Sequence, residues 1–266
     1  MSVPRELLLR YLRQQAELGG GRIFLEHLSA AEALAAVAHL QVPANPGGAA
    51  AVAGPVPAAA TLEQSVADVR YGPQAATATE SPDALSALQS AAQHCTGCRL
   101  HAGRRTVVFG EGSGMAEVVV VGEAPGQEED RTGRPFVGRA GRLLDLMLMS
   151  AGFPREQVYI CNVLKCRPPE NRNPLPDEMD ACTRHWLHGQ LELIAPRVLL
   201  AVGKFAAQVL AASDESIGRL RGRIFSYRGT PLVVTYHPAY LLRSPQMTRI
   251  AWEDLQLLRK VLHEHA

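Results

Sequence analysis

Four short apolar runs punctuate the chain from residue 118 onward: Val118–Val121, Val158–Cys161, Val198–Val202 and Leu232–Thr235. They do not alternate apolar with polar residues, as a half-solvated strand would, and β-branched side chains dominate them. That combination predicts strands buried on both faces. Between them the pattern changes to a helical period, over about 139–151, 176–194, 204–212 and, after the last run, 248–263. Strands that alternate with helices predict a parallel sheet joined by right-handed crossovers. The expected fold class is α/β, a three-layer α/β/α sandwich around a central four-stranded parallel sheet.

The first third of the chain reads differently. Residues 41–60, QVPANPGGAAAVAGPVPAAA, carry no charge and are nearly all Ala, Val, Pro and Gly. This predicts a flexible linker that continues to residue 81. A helical segment is expected over 1–40, with Leu7, Leu8, Leu9 and Leu12 near its start and Gly19-Gly20-Gly21 as a break. The compact domain is expected over 82–266. The first residues lack the basic start and long apolar run of a signal peptide. No apolar stretch approaches the ~20 residues that span a bilayer. The expectation is a cytoplasmic monomer whose thiols stay reduced, with the N-terminal helix as a docking element for a partner protein.

Charge adds little until its distribution is considered. The 266 residues include 27 Lys and Arg against 26 Asp and Glu, a net of +1. Up to Ser86 there are 5 basic and 8 acidic residues, and from Ala87 onward 22 and 18. Basic residues cluster at Arg131, Arg134, Arg139 and Arg142, at Lys165, Arg167 and Arg172, and at Arg219, Arg221, Arg223 and Arg228. Such clusters suit phosphate contacts and are equally compatible with a solvated surface.

Chemistry concentrates just after the apolar runs. Gly122-Glu123-Ala124-Pro125-Gly126 follows the first, Asn162 the second, Gly203-Lys204 the third and His237-Pro238 the fourth. Open parallel sheets bind ligands at the carboxyl ends of their strands, so these residues are expected to share one edge. Glycines let a backbone approach a ligand closely. An Asn amide donates and accepts at once, which suits a pyrimidine edge with a carbonyl beside an N–H. A histidine can donate to a developing oxyanion. Phe136, in the glycine-rich basic loop 131–138, is either a core residue or a platform on which a base stacks.

Cysteines are the most specific signal. Cys95-x2-Cys98 is followed far downstream by Cys166-x15-Cys182. In a chain with reduced thiols, four such cysteines point to a metal or iron–sulfur centre rather than disulfides. Zinc and iron–sulfur clusters use the same thiolates, and spacing does not separate them. Cys161 ends an apolar run and reads as a buried, inert thiol.

Jointly, these segments closely resemble the family 4 uracil-DNA glycosylases, the iron–sulfur type of that superfamily. The resemblance rests on Cys95-Thr96-Gly97-Cys98-Arg99-Leu100, GEAPGQEEDRTGRPFVGRAGRLL at 122–144, NVLKCRPPENRNPLPDE at 162–178 with Cys182 after it, and HPAYLLR at 237–243. It covers about Ala87 to the C-terminus. It implies a structural [4Fe–4S] cluster on Cys95, Cys98, Cys166 and Cys182. It implies that Phe136 stacks on a flipped uracil, that Asn162 reads the N3–H and O4 edge, and that His237 donates to O2. Glu123, Ala124 and Pro125 would line the pocket. Tyr240, Leu241, Leu242 and Arg243 would form the DNA-binding wedge.

The activity so implied is hydrolysis of the N-glycosidic bond of uracil in DNA, giving free uracil and an abasic site. Strongly active members of the superfamily carry an Asp general base where this chain has Ala124, so either Glu123 or Glu129 is expected to hold the water, or the reaction relies mostly on stabilising the leaving group. An aromatic wall against thymine found in some relatives corresponds here to Gly126, and Glu129 is the candidate substitute. The short span between Cys166 and Cys182 lacks the basic loop of the branch that traps uracil DNA covalently. A catalytically weak uracil- or DNA-binding protein and a zinc-stabilised nucleotide-binding protein are the alternative readings.

Overall fold

The computed structural model describes residues 82–264, so the expected N-terminal helix (1–40), the linker (41–81) and any partner docking there lie outside the described residues. The strands are β1 (Glu111–Gly112), β2 (Val118–Gly122), β3 (Tyr159–Asn162), β4 (Val198–Val202), β5 (Ile224–Tyr227) and β6 (Thr230–Thr235). The α-helices are α1 (Pro82–Gln93), α2 (Gln127–Thr132), α3 (Arg139–Ser150), α4 (Pro176–Cys182), α5 (His188–Ile194), α6 (Lys204–Ala211), α7 (Ile217–Leu220), α8 (Pro238–Arg243) and α9 (Thr248–Glu264). A π-helical turn, Thr183–Leu187, joins α4 to α5, so the single helix expected over 176–194 is three segments in series.

The four apolar runs form the parallel centre of the sheet, in the order β3-β2-β4-β6. Alternate side chains of each strand go to opposite faces. Val118, Val120, Ile160, Leu200 and Val233 meet Leu144 and Leu148 of α3 and Leu255 and Leu258 of α9. Val119, Val121, Cys161, Ala201 and Val234 meet Leu187, Leu191 of α5 and Leu210 of α6. Almost every position is apolar because both faces are covered, Thr235 at the end of the last run being the exception, which is why the runs show no alternation.

The sheet is larger than expected. Short β1 and β5 pair antiparallel with β3 and β6 and extend it to six strands. Neither has a continuous apolar run: β1 is two residues long, and β5 is partly exposed along its length. Among the described residues no helix is long and apolar enough to cross a membrane.

Strand order also locates a crevice. From β2 the chain goes to β3 on one side, then to β4 on the other. The crossovers therefore diverge at the end of β2, where open α/β sheets bind ligands. Register sets Gly122 abreast of Asn162, and Val202 abreast of Thr235.

Candidate active site

Asn162 ends β3 and is buried, 1% exposed. Its side-chain Oδ1 meets no hydrogen-bond donor. Buried polar atoms are nearly always paired, so an orphan acceptor here marks a place for a ligand's N–H. A β-carbon on Gly122 would overlap both Asn162 Oδ1 and the Phe136 ring. The glycine thus keeps open the space that the amide and the aromatic ring flank.

Phe136 comes from the loop between α2 and α3. It has φ 51°, in the left-handed region that non-glycine residues avoid. The loop is clamped from below: Arg155 Nη2 donates to Pro135 O at 2.7 Å and Nη1 to Phe136 O at 3.3 Å. Gly141 on α3 leaves no room for a side chain against the Phe136 carbonyl. The ring is therefore held by its backbone, with its centroid 5.7 Å from that of His237.

His237 caps the N-terminus of α8, where its Nδ1 accepts from Ala239 N–H at 3.1 Å. That bond leaves the proton on Nε2 and makes Nε2 the donor. Burial, and then the Arg243 charge, push the imidazole down to about 4, against a smaller opposing effect of Glu129. The ring is neutral at pH 7. Gly203 lies against it, since a β-carbon there would come within 2.9 Å of His237 Cβ.

Two carboxylates follow β2 and differ in kind. Glu123, in the turn after β2, accepts no hydrogen bond with its side chain among the described residues, and burial pushes its carboxyl up to about 7. Glu129 is committed: Oε1 accepts from Val137 and Gly138 N–H, each at 2.9 Å, and Oε2 from Gly126 N–H at 3.1 Å. It ties the 122–126 turn to the loop of Phe136, a positioning role. A β-carbon on Gly126 would approach Glu129 Oε2 to 2.7 Å, so the carboxylate occupies the place a larger side chain would take.

At the expected wedge the structure makes one correction. Leu241 is 1% exposed and packs in the core, whereas Leu242 is 40% exposed. In a one-turn helix adjacent residues point about 100° apart, so only one of the two leucines faces out. Arg243 is exposed, and Tyr240 is half-buried with its ring 5.1 Å from Tyr236. A second correction concerns the basic cluster at 165–172. Lys165 is buried, 1% exposed, and Arg172 is bonded twice to the buried Glu178, at 2.6 and 2.9 Å. Of that cluster, Arg167 donates its Nε to Asn171 Oδ1, and among the described residues its terminal nitrogens have no hydrogen-bond partner.

Cys95, Cys98, Cys166 and Cys182 line one cavity, together with Arg104 and Trp186, and all are free thiols. Each of three sulfurs receives donors: Cys95 Sγ from Trp186 Nε1 (3.2 Å) and Gly97 N (3.4 Å), Cys166 Sγ from Arg104 Nη1 (3.4 Å), and Cys182 Sγ from Lys165 N (3.3 Å). Donors aimed at sulfur suit thiolates. Burial raises the Cys98 and Cys166 thiols and pushes Cys182 up to about 12; a nearby cation acts in the opposite direction. Among the described residues no three Cys, His, Asp or Glu side chains gather tightly around one point. Four thiols around one cavity are a donor set that both zinc and iron–sulfur clusters use. Ala124 packs against the apolar group formed by Leu100, Leu164, Cys166 and Cys182, so the turn after β2 adjoins this centre. Cys161 is fully buried in the main core, apart from the four.

The family model described as the uracil DNA glycosylase superfamily matches residues 109–256. A type-4 uracil-DNA glycosylase of Thermotoga maritima is 49% identical over 166 residues, which cover 61% of this chain and 86% of the relative. Type-4 uracil-DNA glycosylases of Archaeoglobus fulgidus and Sulfurisphaera tokodaii are 45% and 39% identical, over 80% and 85% of their lengths. The matched span contains Gly122, Phe136, Asn162 and His237, the residues that the fold gathers at one crevice. The chain belongs to the uracil-DNA glycosylase superfamily, with the type-4 enzymes.

Proposed function

We propose that this protein is a DNA-repair glycosylase that hydrolyses the N-glycosidic bond of uracil in DNA, releasing uracil and leaving an abasic site. One observation carries the reading: a buried, unpartnered Asn162 Oδ1 beside an aromatic ring and a neutral imidazole donor. Uracil presents an N–H between two carbonyls. Asn162 Oδ1 accepts from N3–H and the amide nitrogen donates to O4. The same amide meets cytosine with mismatched groups, and a buried mismatch is strongly disfavoured.

The base must leave the stack to reach this crevice. Phe136 stacks on it, and Leu242 with Arg243 enters the duplex where it was. As the glycosidic bond breaks, negative charge grows on uracil O2. His237 Nε2–H, neutral and fixed by its bond to Ala239, donates to that oxygen without giving up a full proton. Glu123 orients and deprotonates the attacking water, because a carboxyl near 7 is half ionised at neutral pH and can accept a proton. Glu129 holds the turn and loop together and stands where the methyl of thymine would fall.

The four cysteines fit an iron–sulfur cluster, held by Cys95, Cys98, Cys166 and Cys182. Such a cluster supplies a structural tie between segments distant in sequence, with no part in bond cleavage. Brown protein with broad absorbance near ~400 nm and iron bound supports it; colourless protein with stoichiometric zinc rejects it. The activity is tested with labelled oligonucleotides carrying one uracil opposite guanine, opposite adenine or in a single strand, followed by alkali. Strand scission at the uracil is the expected result. Tight binding without scission favours the reading as a binding protein.

A further inference from the structure

Lys165 stands three residues after Asn162 and one before Cys166. It is a charged side chain in the deepest part of the molecule. Its Nζ donates to the backbone carbonyl of Asn162 at 2.8 Å and to Gln190 Oε1, and lies 5.5 Å from the centre of the Phe109 ring. No carboxylate pairs with it among the described residues. Gln190 is itself fixed, its amide nitrogen donating to Phe109 O at 3.0 Å and Tyr159 Oη at 2.9 Å. The backbone of Lys165 faces the other centre. Its N–H donates to Cys182 Sγ, and its carbonyl accepts from Val108 N at 2.8 Å.

Burying an ammonium without a counter-ion is costly, and an apolar side chain of the same length would fill the space more cheaply. Packing alone does not explain a lysine here. The group it grips does: the carbonyl of the residue whose carboxamide faces the crevice. We propose that Lys165 is a positioning residue for Asn162, holding the end of β3 so that the carboxamide stays aimed at the base, and linking that aim to the four-cysteine centre through its own backbone.

This inference rests on the glycosylase reading, and the test separates the two. Single-turnover uracil release is measured for the wild type, Lys165→Met, Asn162→Ala and the double variant, alongside iron content and affinity for duplex. The wild type must release uracil; if it does not, the glycosylase reading fails and this inference with it. Given an active wild type, Lys165→Met is expected to lower the release rate by about 10- to 100-fold, the scale of a misplaced reacting group, with iron content and duplex affinity unchanged. In the Asn162→Ala background the same change should cost less than about 2-fold, because the amide it aims is gone. A Lys165→Met rate within about 2-fold of wild type overturns the inference. So does an undiminished effect in the Asn162→Ala background, which would mark Lys165 as a general structural support. If Lys165→Met is recovered unfolded or without iron, Gln190→Leu, which removes one anchor of Nζ, takes its place in the same cycle and is read by the same two criteria.

Discussion

Asn162 ends β3 and His237 follows β6 by two residues, and the two strand ends are anchored by opposite chemistry. At β3 a buried cation grips a main-chain carbonyl and neutral side chains, and its backbone continues into the cysteine centre. At β6 a buried anion does the work. Thr235 Oγ1 donates to Asp254 Oδ2 at 2.8 Å, and Arg221 holds both oxygens of Asp254 at 2.7 and 3.0 Å from the far side. Asp254 belongs to α9, which lies on the other face from the segments that carry the cysteines. The two residues proposed to read one base are thus fixed from independent foundations. Damage to one foundation should spare the other.

The strongest way to break this comparison is to remove the readers. His237→Ala and Asn162→Ala are each expected to slow uracil release by about 10²–10³-fold, as loss of one oxyanion-type contact does. Duplex affinity, followed by gel shift, should change little. Full activity in either variant removes that residue from the pocket. Next in size is Glu123→Gln, expected to lower the rate by about 10²-fold. Only the ionised carboxylate accepts a proton, so the wild-type rate should climb as pH rises through about 7, and the variant's profile should be flat there. His237, held near 4, adds no inflection in that range.

The foundations themselves come next. Asp254→Ala strips the counter-charge from Arg221 and should destabilise the fold by about 3 kcal/mol in denaturant melts, with iron content unchanged. Cys166→Ser should reverse the pattern, losing iron and disturbing the β3 side first. If both variants lose iron equally, the foundations are not independent. The smallest expected effect is at the wedge: Leu242→Ala should slow release from duplex by about 3-fold and leave single-stranded substrate unaffected. Leu241→Ala should act instead on stability, because that side chain is in the core.

The chain made the centre of the sheet easy to read. Val118–Val121 and Val198–Val202 have to be covered on both sides, and a ligand edge follows from where such strands end. The polar residues at those ends, Asn162 and His237, were legible for the same reason. The cysteines were legible by spacing as a set that lines one cavity, although spacing does not choose between zinc and an iron–sulfur cluster. What stayed hidden depends on direction rather than composition. Leu241 and Leu242 are identical letters, and only the phase of a one-turn helix sends one inward. Lys165 looks like a neighbour of Arg167 and Arg172, and only the close approach of Gln190 from a distant helix shows it to be internal. Glu129 reads as part of an acidic run until the fold brings the N–H groups of Gly126, Val137 and Gly138 around it. Edge strands β1 and β5 leave too short or too mixed a pattern to find.

The left-handed backbone of Phe136 has a consequence for how this protein can change. A non-glycine residue there costs about 1–2 kcal/mol. The ring is buried, however, and belongs to the main core, where deletion of a phenyl side chain costs about 3–5 kcal/mol. Relief of strain and loss of packing therefore oppose each other at a single codon, and packing is the larger. Selection in the laboratory for survival at high temperature alone should keep a large apolar side chain at 136, even with no demand for repair.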